Sequence, residues 1–121
     1  MRNPELLKKD WPLYVADMIG FATKVLTYTD GLNQREFIAS KLNYDATMRN
    51  LCMVSDAATN IPTHIHTIAS PINWQKIIGL HDKLIRSYWT IDNGVVWSII
   101  QNEIPLLIAQ LETLKNLPHE N

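Results

Sequence analysis

Apolar residues in this chain recur at spacings of three and four, and nowhere do they alternate with period two over the length of a strand. A period near 3.6 gathers such residues on one face of a helix, whereas a half-buried strand needs strict alternation. The pattern predicts an all-α fold: an antiparallel bundle of four to five helices joined by short connections. Four glycines and six prolines punctuate it. Asp10 before Trp11-Pro12 reads as an N-cap with proline in the first turn. The stripe Val15, Met18, Ile19, Ala22, Val25 and Leu26 then predicts a helix over 11–29, stopped by Asp30-Gly31.

Asn33 caps a second start, with Phe37, Ile38 and Leu42 as its apolar face and a break or kink expected at Asn43-Tyr44-Asp45. Met48, Leu51, Cys52, Ser55, Ala58 and Thr59 continue a helical stripe to about Asn60, where Ile61-Pro62 ends it. The segment 63–72 reads as a loop. Asn73 caps a third helix carrying Trp74, Ile77, Ile78, Leu84 and Ile85, and Ile91-Asp92-Asn93-Gly94 marks a turn. The last helix holds Val95, Val96, Ile99, Ile100, Ile104, Leu107, Ile108, Leu111 and Leu114, with Pro105 inside to kink or split it.

A chain of 121 residues fits one domain with a real core, so a single domain over 1–121 is expected, with 1–9 and 118–121 as flexible termini. The net charge of −1 gives no overall pull toward nucleic acid, so any RNA contact needs a local basic patch. Cys52 is the single cysteine, which excludes an internal disulfide and a cysteine-based zinc site and suits a reducing, cytoplasmic setting. The first ten residues lack the apolar core of a signal peptide, and no apolar run approaches the roughly 20 residues that cross a bilayer.

Chemistry concentrates in His81-Asp82-Lys83-Leu84-Ile85-Arg86-Ser87-Tyr88. Imidazole moves protons near neutral pH, and guanidinium grips a phosphate through parallel hydrogen bonds. Together they suffice to cut RNA without a metal. On a helix, His81 and Tyr88 fall within roughly 20° of each other, whereas His81 and Arg86 diverge by roughly 140°. One helix cannot readily aim both at one phosphate, so chemistry here calls for a second copy across a two-fold axis. The plainer reading is a solvated helix end with an Asp82–Arg86 surface ion pair at i,i+4 spacing. His64-Ile65-His66 would place two rings on one side of an extended loop, but two histidines fall short of a zinc ligand set, so no metal site is expected. Trp11, Trp74, Trp89 and Trp97 read as core or contact residues rather than base-stacking platforms.

Block by block, the chain resembles the HepT-like branch of the HEPN proteins, small helical toxins usually paired with a minimal nucleotidyltransferase antitoxin. The resemblance runs from about Tyr14 to Leu114. It is carried by Ala16-Asp17-Met18-Ile19 with Val25–Thr29, by Phe37-Ile38-Ala39 and 45–51, and by Asp56-Ala57-Ala58-Thr59-Asn60-Ile61-Pro62. Pro71-Ile72-Asn73-Trp74-Gln75-Lys76-Ile77-Ile78-Gly79-Leu80 is the most specific block, and Trp97, Gln101-Asn102 and Pro105-Leu106 fit the last helix. The order and spacing of the blocks carry the match. After the Ile-Ile-Gly block the family typically reads Arg-Asn, three residues, His, one residue, Tyr. Here those addresses hold His81-Asp82, Arg86 and Tyr88: arginine and histidine have traded places.

The resemblance implies a homodimer acting as a cofactor-free, metal-independent endoribonuclease, with His81 and Arg86 as catalytic residues and Asp82 and Asp56 in support. Asp56 stands where the family usually has glutamate and could orient His81 or Arg86. Arg49 and Arg86 would attract the phosphate. Tyr88 aligns with the tyrosine that the nucleotidyltransferase partner can modify with AMP, which would add bulk and negative charge beside the arginine. The chain lacks a glycine-rich phosphate loop and so is not expected to be the nucleotidyltransferase itself. Three readings of the exchange stay open: a permissive dimer site that still cuts, a catalytically inactive protein that binds RNA or its nucleotidyltransferase partner, and a segment that is now only structural.

Overall fold

The computed structural model describes residues 10–86 and 92–117, with only the backbone of 85 and 86. Its elements are α1 (Trp11–Thr29), α2 (Gln34–Ala39), α3 (Lys41–Ala58), α4 (Thr63–Ile68), α5 (Trp74–Arg86) and α6 (Asn93–Ser98). A π-helical turn, Ile99–Glu103, then leads into α7 (Ile104–Lys115). No strand occurs among the described residues. The fold is all-α as the periodicity predicts. Counting α6, the π turn and α7 as one interrupted helix, the described residues form six helices, against the four to five expected.

α1 has the predicted bounds. Pro12 lies in its first turn, but Asp10, at the N-cap position, makes no side-chain cap bond. Its buried face holds Val15, Met18, Ala22 and Val25 of the predicted stripe, with Ile19 and Leu26 half-buried beside them. Gly31 reverses the chain with φ of 75°, a conformation that a Cβ disfavours. α2 begins on a reciprocal capping box. The Asn33 side chain accepts from Glu36 N at 2.8 Å, and the Glu36 carboxylate accepts from Asn33 N at 2.9 Å.

The break expected at Asn43-Tyr44-Asp45 falls instead at Ser40, whose extended backbone ends α2 and starts α3. Ser40 Oγ donates to Asn43 Oδ1 at 2.8 Å, and the Asn43 amide donates to Tyr28 O at 2.7 Å. Asn43 thus pins the junction to α1 instead of breaking the helix. The expected loop at 63–72 is corrected over its first six residues, because Pro62 sits at the N-cap position of the short helix α4.

Pro105 acts one turn upstream of itself. Its ring lacks an N–H and collides with the carbonyl four residues back, so the ladder widens to π spacing over Ile99–Glu103. As one continuous span, Asn93–Lys115 is long and apolar enough to cross a membrane by length and composition, contrary to the run length read from the sequence. Here Val96, Ile100, Ile104, Leu107, Leu111 and Leu114 of that span are buried in the bundle core.

α1 packs chiefly on α3 and α7, and α3 packs α5 against its other side. The shared core holds Met18, Leu51, Val54, Ile100, Leu111 and Leu114, each at most 2% exposed. α3 thus packs against both α1 and the helix that carries His81, and α5 adds Trp74, Leu80 and Leu84 to the same core.

Candidate active site

The site forms where the C-terminal half of α3 meets the middle of α5. Ser55 and Asp56 are consecutive on α3 and so point about 100° apart. Ser55 is fully buried. Its hydroxyl donates to Ile78 O at 2.8 Å and accepts from His81 N at 3.1 Å. The Asp56 side chain is 54% exposed and its Oδ1 lies 2.5 Å from His81 Nδ1. The His81 side chain is 34% exposed, so the pair stands at the surface, within reach of a solute.

A carboxylate only accepts hydrogen bonds. When the ring is neutral, its contact therefore places the imidazole proton on Nδ1 and leaves Nε2 as the basic nitrogen. When the ring takes up a second proton, the same carboxylate stabilises the imidazolium. This is the chemistry of an imidazole held to accept and return a proton at one atom.

Asp82 is exposed on α5 beside His81. Arg49 is exposed on α3, seven residues before Asp56 and hence on the same side of that helix. Arg86 is the last residue of α5, but its side chain lies outside the described residues, as do Tyr88 and Trp89. The structure thus brings together Asp56 and His81 of the predicted set. Sequence reading missed Ser55 by counting it among the apolar stripe of α3. The only sequence signal for it is its place directly before Asp56.

Cys52 lies one turn before Asp56. Burial pushes its thiol upward, and the Asp56 carboxylate adds to the effect. The group stays protonated at neutral pH, which makes it a poor nucleophile. A cleft of about 130 Å³ between α5 and the π turn, bordered by Lys76, Leu80, Glu103 and Leu107, includes neither His81 nor Asp56. The Lys76–Glu103 ion pair crosses between these two elements.

His64 and His66 sit on α4, so their two-residue spacing turns them about 200° apart rather than to one side of a loop. Among the described residues, no group of three histidine, cysteine or carboxylate side chains could hold a metal ion. The His66 ring stacks on Trp74 with centroids 4.5 Å apart and planes 17° apart, and its Nε2 is buried with no hydrogen-bond partner. Burial lowers its pKa from the usual 6.5, opposed by a hydrogen bond to the Ala58 backbone.

A histidine with a lowered folded pKa is protonated first in the unfolded chain. Its contribution to stability is complete above about pH 6.5 and is lost as pH falls through the lowered folded value. Thermal melts from pH 7.5 to 5 are therefore expected to show the melting temperature dropping on the acid side. His66→Phe, which keeps a stacked ring and cannot titrate, should flatten that drop; an equally steep drop in the variant would remove His66 as the cause.

The fold and the site define a small helical protein with a carboxylate-bound imidazole at the seam of two helices. The chain belongs to the HepT-like ribonuclease family, whose pattern it matches over residues 18–114. A Methanocaldococcus jannaschii protein named as a putative RNase is 26% identical over 107 residues, covering 88% of this chain and 88% of its own length. A Thermococcus cleftensis protein named as a probable ribonuclease HepT is 26% identical over 109 residues, 90% of this chain and 99% of its own. Another M. jannaschii relative, named as a gamma-glutamylcyclotransferase and putative RNase, is 27% identical over 105 residues. This chain spans 47% of that relative's length. No solved structure matches the chain.

Proposed function

We propose that this HepT-like ribonuclease is the toxin half of a toxin–antitoxin pair and cuts RNA without a metal, as a cytoplasmic homodimer. The observation that carries this reading is the 2.5 Å contact of Asp56 with His81 Nδ1 on an exposed seam. It leaves Nε2 as the atom that moves the proton. His81 Nε2 removes the proton of a ribose 2′-hydroxyl, and the 2′-oxygen attacks the adjacent phosphorus. The bond from phosphorus to the 5′-oxygen breaks, and a solvent proton completes the departing hydroxyl. The products are a 2′,3′-cyclic phosphate and a 5′-hydroxyl end.

Because His81 and Arg86 diverge by roughly 140° on one helix, Arg86 acts on the phosphate held by His81 of the second copy. There it offsets the negative charge that builds at phosphorus. Arg49, on the Asp56 side of α3, adds attraction for the strand. The antitoxin in this reading is a minimal nucleotidyltransferase, and AMP on Tyr88 would block the phosphate with bulk and charge.

One observation favours a second reading. The arginine and histidine addresses are exchanged relative to the family pattern, and an inactive protein that only engages RNA or the nucleotidyltransferase would tolerate this. An RNA cleavage assay with chelator present separates the two. Cleavage that leaves cyclic phosphate ends, from a protein that sediments as a dimer at micromolar concentration, is the expected result. No cleavage by the dimer would remove the ribonuclease reading, and cleavage by a monomer would remove the composite site.

A further inference from the structure

We propose that Ser55 is a positioning residue that sets the orientation of the His81 ring, through a bridge from α3 into the backbone of α5. The proposal rests on the reading of His81 as the proton-moving group. It deepens that reading by naming the residue that holds the group in register.

A serine or threonine inside a helix ordinarily turns its hydroxyl back to its own helix, donating to the carbonyl four residues earlier. Thr23, Thr27, Thr29 and Thr113 do so in this chain, onto Ile19, Thr23, Val25 and Ala109. Ser55 does not. Its proton goes across the helix interface to Ile78 O, 23 residues away, and its oxygen receives His81 N from 26 residues away. A hydroxyl has one proton to give, so bonding Ile78 leaves it to serve His81 only as an acceptor. The two α5 groups lie three residues apart, so one buried oxygen spans the whole turn that delivers His81.

The neighbouring residue completes the arrangement. Ser55 binds the main chain of residue 81 and Asp56 binds its ring. Sliding α5 by one residue, or rotating it about its axis, would break the Ser55 bridge and draw the imidazole off Asp56 together. Helix packing by apolar side chains tolerates small slides, because it is not directional. Hydrogen bonds do not, because they weaken steeply outside a narrow range of length and angle. Proton transfer is equally intolerant: a displacement of about 1 Å can cost about 100-fold in rate.

The test compares wild type with Ser55→Ala and Ser55→Cys in the full chain. The cysteine variant fills a similar volume with a weak hydrogen-bonding group, so it carries the test if the alanine variant does not fold. Long-range ¹H–¹⁵N spectra, taken where the ring is neutral, report which His81 nitrogen bears the proton. Wild type is expected to hold it on Nδ1. The variants are expected to spread it over both nitrogens and to lose about 10- to 100-fold in kcat with KM nearly unchanged.

A folded variant that keeps the wild-type tautomer and kcat overturns the proposal. So does one that melts at a lower temperature with the tautomer unmoved, since that result assigns Ser55 to packing alone. If wild type cuts no RNA, the ribonuclease reading falls, and the tautomer comparison by itself decides the role of Ser55.

Discussion

Replacing His81 with alanine is expected to lower RNA cleavage by about 100- to 10,000-fold, the usual contribution of a positioned acid–base group. The fold should survive, because the side chain stands one-third exposed and its removal empties no core space. Asp56→Asn should also reduce cleavage but by less, since the amide still offers an oxygen to Nδ1–H while losing the charge that steadies the imidazolium. Cleavage rates measured with chelator present, alongside thermal melts, check both. Equal cleavage by wild type, His81→Ala and Arg86→Ala would sink the catalytic assignment. The double variant His81→Arg with Arg86→His addresses the exchange directly. Activity gained by that variant over an inactive wild type would mark the natural chain as a disabled ribonuclease.

Two positions at this site depart from the pattern of the family that the chain resembles. Family order places an arginine at position 81 and a glutamate at position 56, and here both differ. Asp56 and His81 meet at 2.5 Å across the seam of α3 and α5. That contact was beyond the reach of the sequence, which aligned Asp56 with a family carboxylate but left open whether it faced His81 or Arg86. Helical angles within α5 said which residues diverge. They did not say what α3 would present to them, because the register between two helices is set by packing rather than by either helix alone.

The same limit explains the misread elements. α1 was legible because one clean stripe, one proline and one glycine bound it. Ser40 was not, because its break depends on an Asn43 amide that reaches Tyr28 on α1, a contact 15 residues distant in the chain. α4 offered only Ile65 as a buried residue in six residues, too little for a periodic signal. Ser55 looked like a tolerated small residue in an apolar stripe because its polarity is cancelled by groups on another helix. For Ser40 and Ser55 the missing information was a side chain's long-range hydrogen bond.

Phe37→Ala is expected to cost about 3–5 kcal/mol of folding free energy, the range for deleting a buried aromatic ring. Phe37 is fully buried, and α2, which carries it, is only six residues long and cannot hold itself by backbone bonds alone. The ring contacts Tyr44 of α3 with centroids 5.2 Å apart and Trp97 of α6 at 5.3 Å, so three helices meet on it. Tyr44 extends the junction by donating its hydroxyl to Asn93 Oδ1 at 2.9 Å, at the start of α6. Truncating Phe37 removes the ring that both neighbours pack on and leaves a cavity that the pinned Tyr44 cannot easily collapse to fill. Leu42→Ala is the matched control: Leu42 is 79% exposed, and its loss should change stability by no more than about 0.5 kcal/mol. Urea unfolding of the two variants measures the difference. A Phe37→Ala protein within about 1 kcal/mol of wild type would mean that the capping box of α2, and not the aromatic junction, holds this end of the bundle together.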